Sequence, residues 1–437
     1  MTRYESWGRF PKATHEVVRI RWRDMALPPY SGKSMLAFGN GRSYGDCCLN
    51  DQGILIDARG LDRFINFHEK AGTVRCEAGV LFSEIIKYAL PRGWFLPVTP
   101  GTQFVTVAGA LANDVHGKNH HRAGTFGRHV RRFELLRSDG STVQCSSNEN
   151  PDWFRATIGG LGLTGLITWV EIQLKAVTST AIEQEVVRYG QLEDFFRLSL
   201  ESDRSFEYTV AWIDCSRRGA SFGRGLFFRG NHAEHEGRER AKAPIRCLSV
   251  PFDPPFALVN GPSVRIFNSL YYRKQRQEYT RSVVDYETFF YPLDAIGGWN
   301  RIYGSRGLLQ YQCVIPQPHA EAAISEILRQ VATAGAGSPL AVLKMFGELP
   351  SPGMLSFPRP GATLALDFPN LGQKTFDLLD RLDAVTMAAQ GALYPAKDAR
   401  MCSDTFQRSF PNWKQLEPFM DPRFSSSFWR RVSGDAR

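Results

Sequence analysis

The segment that most constrains the fold is a glycine-rich loop, Gly39-Asn40-Gly41-Arg42-Ser43-Tyr44-Gly45. Its G-x-G-x-x-x-G spacing differs from the G-x-G-x-x-G of a Rossmann site, and the residues after it predict a strand where that fold needs a helix. No Gly-Lys-Ser/Thr closes it as in a P-loop. Glycines let backbone N–H groups approach a phosphate, so we interpret the segment as a loop between strands that grips a pyrophosphate. Taken alone, such a loop is more often a plain turn than a phosphate-binding site.

Two further runs of small residues favour the ligand-binding interpretation. The segment Pro97-Val98-Thr99-Pro100-Gly101-Thr102 leads into an apolar run that contains Gly109 and ends at Ala112. A dense polar segment follows, Asn113-Asp114-Val115-His116-Gly117-Lys118-Asn119-His120-His121. The third run, from Gly159 to Gly165, contains Gly162. Three such loops in one part of the chain predict a single extended ligand.

The three histidines of the polar segment raise the alternative of a metal site. Only Asp114 joins them at ligand spacing, and the chain has no CxxC pair or Cys/His cluster. We therefore expect no metal.

At these residues the chain resembles the FAD-binding domain of the vanillyl-alcohol oxidase type of flavoprotein, also called the PCMH fold. A narrower resemblance, to the decaprenylphosphoryl-β-D-ribose 2′-oxidase family, covers nearly the whole chain from Gly8 onward. It rests on the segments GRSYGD, LPVTPGTQFVTVAGALANDVHGKNHH, GGLGLTGLI, YPLDAIGGWNRIYGSRGLLQYQ, LKMFG, LSFPRPG and LYPAKDAR. GKNHH and LQYQ are specific to that family, whereas the glycine loops alone indicate only the superfamily.

The resemblance and the hydrophobic patterns together imply an α+β protein. We expect a two-part PCMH-type FAD-binding domain at residues 1–175 and an α+β substrate domain with an antiparallel sheet at 176–392. A C-terminal segment, 393–437, is expected to return to the FAD-binding domain. Two proline-rich stretches, Pro251–Pro255 and Pro350–Pro360, predict loops over a site.

The resemblance also implies the cofactor site. FAD is expected to contact Gly39, Asn40, Gly41, Arg42, Ser43, Tyr44, Gly45, Pro100, Gly101, Thr102, Gly109, Ala112, Gly162, Ile167 and Tyr394. Many relatives in the superfamily attach FAD covalently through a histidine of the first loop. Arg42 stands at that place here, so we expect non-covalent FAD.

Members of the family oxidise the 2′-hydroxyl of a ribofuranose carried on a polyprenyl phosphate. A separate short-chain reductase then converts the 2′-keto sugar to the arabinofuranose epimer. By resemblance, the substrate cavity in front of the flavin is lined by His116, Lys118, Tyr291, Gln310, Gln312, Lys344, Phe346, Tyr394 and Lys397, with Trp212 in its outer wall.

The chemistry of the side chains suggests roles for them. Lys397 is expected to be catalytic, as a positive group that contacts substrate or flavin. His116 is expected to accept the hydroxyl proton or to orient it, and both alternatives stay open. Gln310 and Gln312 are two apart on a predicted strand, so they share a face and suit the sugar hydroxyls. Lys118 and Lys344 suit the substrate phosphate.

The sequence departs from known patterns at two places. Ala365 stands where mycobacterial members carry a cysteine, so we expect no covalent trapping there. Tyr394-Pro395-Ala396-Lys397 stands where sugar-lactone oxidases show His-Trp-Gly-Lys, which disfavours an FAD oxidase of a free alditol or sugar lactone.

A second rival is a non-catalytic scaffold that kept the fold. The intact His116, Lys118 and Lys397 argue against it.

The net charge of +9 suits an anionic partner, such as nucleic acid, anionic lipid or a phosphorylated substrate, and equally an arginine-rich surface that serves only solubility. No basic stripe with interleaved aromatics indicates nucleic acid. The N-terminus has no apolar core of the signal-peptide kind. We therefore expect a cytoplasmic protein that contacts the inner membrane surface peripherally. The stretch Trp429-Arg430-Arg431-Val432 suits a membrane surface, and equally a frayed tail.

Overall fold

The computed structural model describes residues 4–234 and 248–434. The first part of the fold is a small parallel sheet. The strands are β1 (Glu16–Arg19), β2 (Met35–Phe38) and β3 (Ile54–Asp57), with β3 between the other two. All four residues of β3 are buried, as expected for a parallel strand covered on both faces. The first glycine loop follows β2, and a 3₁₀ turn at Asp46–Cys48 leads on to β3.

The second part is an antiparallel sheet of five strands in the order β4-β5-β9-β7-β8. The strands of this region are β4 (Phe64–His68), β5 (Thr73–Glu77), β6 (Trp94–Phe95), β7 (Val130–Leu136), β8 (Thr142–Ser146), β9 (Leu166–Gln173) and β10 (Lys175–Ala176). The helices are α1 (Phe82–Ala89), α2 (Val107–Ala112), α3 (His120–Ala123) and α4 (Pro151–Thr157). The predicted second run of small residues therefore forms α2, which Thr106 caps by accepting a hydrogen bond from the Gly109 N–H.

The third part is built on an antiparallel sheet of eight strands in the order β15-β11-β13-β12-β18-β19-β17-β20. The strands are β11 (Ala181–Tyr189), β12 (Tyr208–Ile213), β13 (Gly225–His232), β14 (Leu248–Ser249), β15 (Tyr279–Asp285), β16 (Ile296–Gly297), β17 (Leu308–Ile315), β18 (Ala341–Phe346), β19 (Gly361–Pro369) and β20 (Ala392–Leu393). The helices are α5 (Leu192–Ser202), α6 (Gly261–Lys274), α7 (Tyr286–Phe290), α8 (Gln317–Ala334) and α9 (Gln373–Ala388). The predicted α+β architecture with an antiparallel sheet is confirmed.

One face of this sheet is covered by helices. Buried side chains of α5, α8 and α9, such as Phe195, Ile324 and Leu382, pack with Tyr311 and Leu364 of the sheet in the largest apolar core. Side chains alternate between the two faces of a strand, so the neighbours of these core residues point the other way. That second face of β17, β18 and β19 carries the polar residues of the site described below.

The C-terminal segment, with α10 (Ser403–Ser409) and α11 (Ser427–Ser433), packs against the first parallel sheet. The Met35 N–H donates to the Arg423 carbonyl at 2.6 Å. The Arg431 guanidinium bridges Asp46 at 2.6 Å and Asp398 at 3.0 Å. Trp429 is only 3% exposed. Both sequence interpretations of residues 429–432, a membrane surface and a frayed tail, are therefore wrong: the aromatic residue packs inward and Arg431 is paired.

Candidate active site

A cavity of about 340 Å³ is lined by residues of all three sheets and by the glycine loops. It is lined by all but one of the positions predicted to contact FAD, namely Gly39, Asn40, Gly41, Arg42, Ser43, Tyr44, Pro100, Gly101, Thr102, Gly109, Ala112, Gly162, Ile167 and Tyr394. The three small-residue loops, which are far apart in the sequence, thus border one space.

The first two loops are held together by contacts that leave no room for side chains. A Cβ on Gly39 would lie 2.5 Å from Thr106 Oγ1. Gly41 has φ of +59°, and a Cβ there would lie 2.6 Å from the Glu5 carbonyl oxygen. The Asn40 amide donates to the Phe104 carbonyl at 2.7 Å. Glycine is therefore required for the close packing of the loop as well as for exposing its backbone to the cavity.

Arg42 supplies a cation at the same end of the cavity. Its guanidinium carbon lies 4.3 Å from the centre of the Trp7 ring and 5.5 Å from that of Phe104. Burial lowers the pKa of Arg42, and the nearby Asp294 carboxylate opposes that effect. Its Nε is buried and has no hydrogen-bond partner among the described residues. A desolvated cation beside exposed loop backbone suits a diphosphate.

Gly45 is the exception among the predicted cofactor positions, because it does not line the cavity. A Cβ on Gly45 would lie 1.5 Å from the Asp398 carbonyl oxygen. That Gly45 contacts FAD stays a prediction. Its glycine is explained by the C-terminal segment, whose backbone crosses directly over it.

The other end of the cavity is formed by one face of the eight-stranded sheet. Gln310 and Gln312 of β17 line it, as does Lys344 of β18. On β19 the lining residues are Thr363, Ala365 and Asp367, at alternate positions. Gln310 is paired in register with Asp367, and its amide donates to Asp367 Oδ1. The period of two along each strand therefore brings amides, a cation and a carboxylate together.

His116 enters this end of the cavity from the loop after α2. Its Nε2 is 3.1 Å from Gln312 Nε2, which also donates to Thr363 Oγ1 at 3.2 Å. Because the amide nitrogen is a donor, His116 Nε2 accepts and its proton resides on Nδ1. Burial lowers the pKa of His116 well below its usual value, and positive charge on Lys344 acts in the same direction. The ring is therefore neutral.

Lys397 lies over the ring of Tyr44, with Nζ 4.0 Å from its centre. Burial lowers the pKa of Lys397 to about 8, and the Asp367 carboxylate partly opposes this. Burial in turn raises the pKa of Asp367 to about 7. Asp367 Oδ2 has no hydrogen-bond partner among the described residues. The two groups form a buried pair of opposite charge whose protonation states change near neutral pH.

Four predicted substrate residues do not line the cavity: Lys118, Tyr291, Phe346 and Trp212. The Lys118 ammonium donates to the Phe289 carbonyl and lies 4.4 Å from the centre of the Phe289 ring. The Tyr291 hydroxyl is 2.6 Å from Thr99 Oγ1. In this structure these side chains support the wall of the site from behind.

Phe346 and Trp212 support the site in the same way. The Phe346 ring packs between His116 at 4.8 Å and His120 at 4.4 Å. The Trp212 indole donates to the Pro339 carbonyl at 3.0 Å, beside the cavity-lining Val342.

The three histidines after α2 do not converge. His116 faces Gln312, the Gly347 N–H donates to His120 Nδ1 at 3.2 Å, and His121 Nε2 lies 3.0 Å from the Phe206 carbonyl. Among residues 4–234 and 248–434, no group of three His, Cys, Asp or Glu side chains is placed to hold a metal ion.

Sequence reasoning missed the two carboxylates of the site, Asp294 and Asp367. An available signal for Asp367 was an acidic residue in the otherwise apolar strand GATLALDFP. A buried charge in such a strand usually has a partner or a function. Asp294 lies in the YPLDAIGG segment and shows no comparable pattern.

The residues present fit FAD: a glycine loop and Arg42 suit the diphosphate, and the buried Nδ1 of His116 has no partner among the described residues. The fold and the site together define an FAD-dependent oxidoreductase. Residues 25–146 match the family model described as an FAD binding domain.

Comparison with known proteins narrows this class. The chain is 35% identical to the decaprenylphosphoryl-beta-D-ribose oxidase of Mycolicibacterium smegmatis, over 92% of this chain and 89% of that protein. It is 32% identical to an uncharacterized protein of Streptomyces coelicolor, over 81% of this chain and all of the relative. The L-gulonolactone oxidase of Mus musculus is 28% identical over 34% of this chain and 33% of its own length. The chain belongs to the decaprenylphosphoryl-β-D-ribose oxidase family, and FAD is its cofactor.

Arg42 leads to a prediction about how the cofactor is held. A guanidinium is a poor nucleophile toward the flavin ring, so we expect acid precipitation of the holoenzyme to release the flavin into the supernatant. The measurement is the absorbance of the supernatant and of the redissolved pellet. A yellow pellet that keeps its flavin through washing would contradict non-covalent binding.

Proposed function

We propose that this protein oxidises the 2′-hydroxyl of a polyprenylphosphoryl-β-D-ribofuranose to the 2′-keto sugar. The relative from Mycolicibacterium smegmatis is named for a decaprenylphosphoryl ribose. The observation that carries the proposal to this chain is the positive charge at the sheet end of the cavity. Lys344 and Lys397 both line it. Burial lowers the pKa of Lys344 and that of Lys118, and a neighbouring lysine lowers each pKa further, Lys397 for Lys344 and Lys344 for Lys118.

Such a cluster of lysines is stabilised by an anion. A phosphate that contacted Lys344 would offset the mutual repulsion of the ammonium groups and favour their charged forms. A neutral alditol or lactone offers no such compensation. The cluster therefore supports a sugar phosphate in preference to a free sugar.

The remaining groups suit the chemistry of the ribose. Bound FAD would supply the acceptor for the hydride of the carbinol carbon. We assign Lys397 to the reacting hydroxyl, where its ammonium stabilises the negative charge that develops as the hydroxyl proton passes to solvent water. Gln310 and Gln312 hold sugar hydroxyls by their amides. His116, whose pKa is too low for a strong base at neutral pH, orients the sugar through its ring N–H.

The lipid substrate implies partners. We propose that a short-chain reductase takes the keto product to the arabinofuranose epimer, and that the enzyme works at the inner membrane surface. A long polyprenyl chain stays in the bilayer, so the enzyme must meet its substrate there. No helix within the described residues is long and apolar enough to cross a membrane.

The position of oxidation is tested by trapping the product. We expect holoenzyme and a short-chain polyprenylphosphoryl ribose to give a product two hydrogens lighter. Reduction with borodeuteride should then place one deuterium at C2 of the sugar and yield both ribose and arabinose on hydrolysis. Deuterium at any other carbon, or an unchanged substrate, would contradict the proposal. Turnover of free alditols or lactones in place of the lipid phosphate would establish the alternative of a soluble-sugar oxidase.

A further inference from the structure

Among the described residues, the large apolar side chains that are exposed to solvent are concentrated in one part of the chain. More than half of those side chains lie between residues 248 and 296. The helix α6 contributes Ile266, Phe267 and Leu270, which are 63%, 47% and 63% exposed. Phe252, Phe256 and Leu258 are exposed on the loop that leads into this helix. An apolar surface of this extent on a single helix and its loop marks an interaction site.

The helix α6 is oriented with its apolar stripe outward. Ile266 and Leu270 are four residues apart, so they share the outward face, and Phe267 flanks them. The opposite face is anchored: Val264 is 2% exposed and Asn268 is fully buried. The Asn268 amide donates to Asp214 Oδ1 at 3.0 Å. Because the inner face is firmly packed, the outward stripe is a fixed feature of the folded protein.

Cations surround the apolar stripe. Arg265, Arg273, Lys274 and Arg276 are all exposed, and the sequence from Asn260 to Gln277 contains no acidic residue. Arg273 and Lys274 occupy the last turn of the helix, where a positive charge is also favoured by the helix dipole. An apolar face flanked by arginine and lysine is the pattern of a helix lying in the interface of an anionic bilayer.

The same element forms part of the outer wall of the cavity. Val259 and Val264 belong to an apolar cluster that includes Tyr44 and Trp299, and both of these line the cavity. Tyr271 on the inner side packs against Trp212 with ring centres 4.8 Å apart. One side of this layer therefore contacts the wall of the active site while the other carries the exposed apolar stripe.

We infer that α6 and its leading loop are the surface by which this enzyme docks on an anionic lipid bilayer. This inference rests on the proposed function, since an enzyme that acts on a polyprenyl-linked substrate must bind the bilayer that holds it. Ile266, Phe267 and Leu270 enter the interface, and Arg273 and Lys274 contact lipid phosphates. Docking there places the cavity one layer of protein away from the bilayer that holds the lipid chain of the substrate.

Vesicle flotation of the full-length holoenzyme tests the inference. The probes are vesicles of phosphatidylcholine mixed with phosphatidylglycerol, and of phosphatidylcholine alone. We expect binding to the anionic vesicles, weakened as salt rises from about 0.1 M to about 1 M and the screening length falls from about 10 to about 3 Å. The double variant Ile266→Ser, Leu270→Ser should lose binding by at least about tenfold, as should Arg273→Gln with Lys274→Gln. Leu200→Ser, at a leucine of α5 that is more exposed than Ile266 or Leu270, is the matched control and should bind as wild type.

Two further measurements separate the possible outcomes. The Ile266→Ser, Leu270→Ser protein should still be reduced by a soluble short-chain substrate, so a loss of docking is distinguishable from a failure of the proposed function. Unchanged vesicle binding by this variant, or an equal loss in Leu200→Ser, would overturn the inference. A failure of the wild-type enzyme to bind either kind of vesicle would also overturn it. A change of the variant's oligomeric state in light scattering, with vesicle binding unaltered, would assign the surface to protein contacts and overturn it as well.

Discussion

Replacing Lys397 with alanine is expected to leave FAD bound and to slow flavin reduction by substrate about 1,000-fold, the scale of losing a group that stabilises transition-state charge. Lys397 lines the sheet end of the cavity, while the predicted diphosphate contacts lie at the other end, around Arg42. The truncation removes the ammonium that lies over the Tyr44 ring of the first glycine loop, and it leaves the backbone of that loop in place. The measurements are the flavin-to-protein ratio and the rate of anaerobic bleaching.

The matched control for this variant is Lys374→Ala, which removes an exposed lysine at the start of α9. It should retain both flavin and rate. Reduction of the Lys397→Ala protein at the wild-type rate would remove Lys397 from the chemistry. Loss of the flavin from that variant would instead make Lys397 a cofactor-binding residue.

Replacing Asp367 with asparagine is expected to move the pH dependence of flavin reduction. Lys397, with its pKa lowered to about 8, is charged below that pH and neutral above it. If the charged form is required, the rate of the wild-type enzyme falls as pH rises through about 8. The Asp367 carboxylate raises the pKa of Lys397. Its removal should therefore shift the fall to lower pH by about one unit, which lowers the rate near pH 8 roughly fivefold.

The pH profile also shows whether Asp367 sets the pKa of Lys397 or only maintains the local structure. Gln310 donates to Asp367 Oδ1, and asparagine keeps an acceptor at that place. The other ionisable groups around Lys397 are Cys47, whose charge would raise its pKa, and Lys344 and His116, whose own pKa values it lowers. Asp383→Asn removes a second buried carboxylate, paired with Arg400 at 2.7 Å and outside the cavity lining. It should leave the profile in place. A lower rate at every pH with an unmoved profile would reduce Asp367 to a structural role.

The cofactor half of the site was predictable because its determinants are local. Gly39 and Gly109 lie close to the Thr106 hydroxyl and Gly41 lies close to the Glu5 carbonyl oxygen, so these positions need glycine, and runs of glycine stand out in a sequence. The strand β17 was also predicted. Gln310 and Gln312 share the cavity-facing side of β17, as their spacing indicates.

What sequence reasoning missed depends on tertiary contacts. Asp367 meets Gln310 through the register of two strands, which no local pattern encodes. Lys118 lies beside His116 in the sequence, yet its side chain turns to the Phe289 carbonyl of a distant element. Trp429 and its arginines resemble a membrane anchor in isolation. In the fold, Trp429 packs on Phe406 and Trp413, while α6 presents the outward apolar stripe.

Anaerobic bleaching of the flavin by defined substrates tests the proposed function most directly. A short-chain polyprenylphosphoryl ribose should reduce the bound FAD completely within the mixing and observation period. The corresponding arabinose epimer, free alditols and sugar lactones should leave the absorbance unchanged. Bleaching by a free alditol or lactone, with the lipid-phosphate ribose inert, would contradict the proposed substrate.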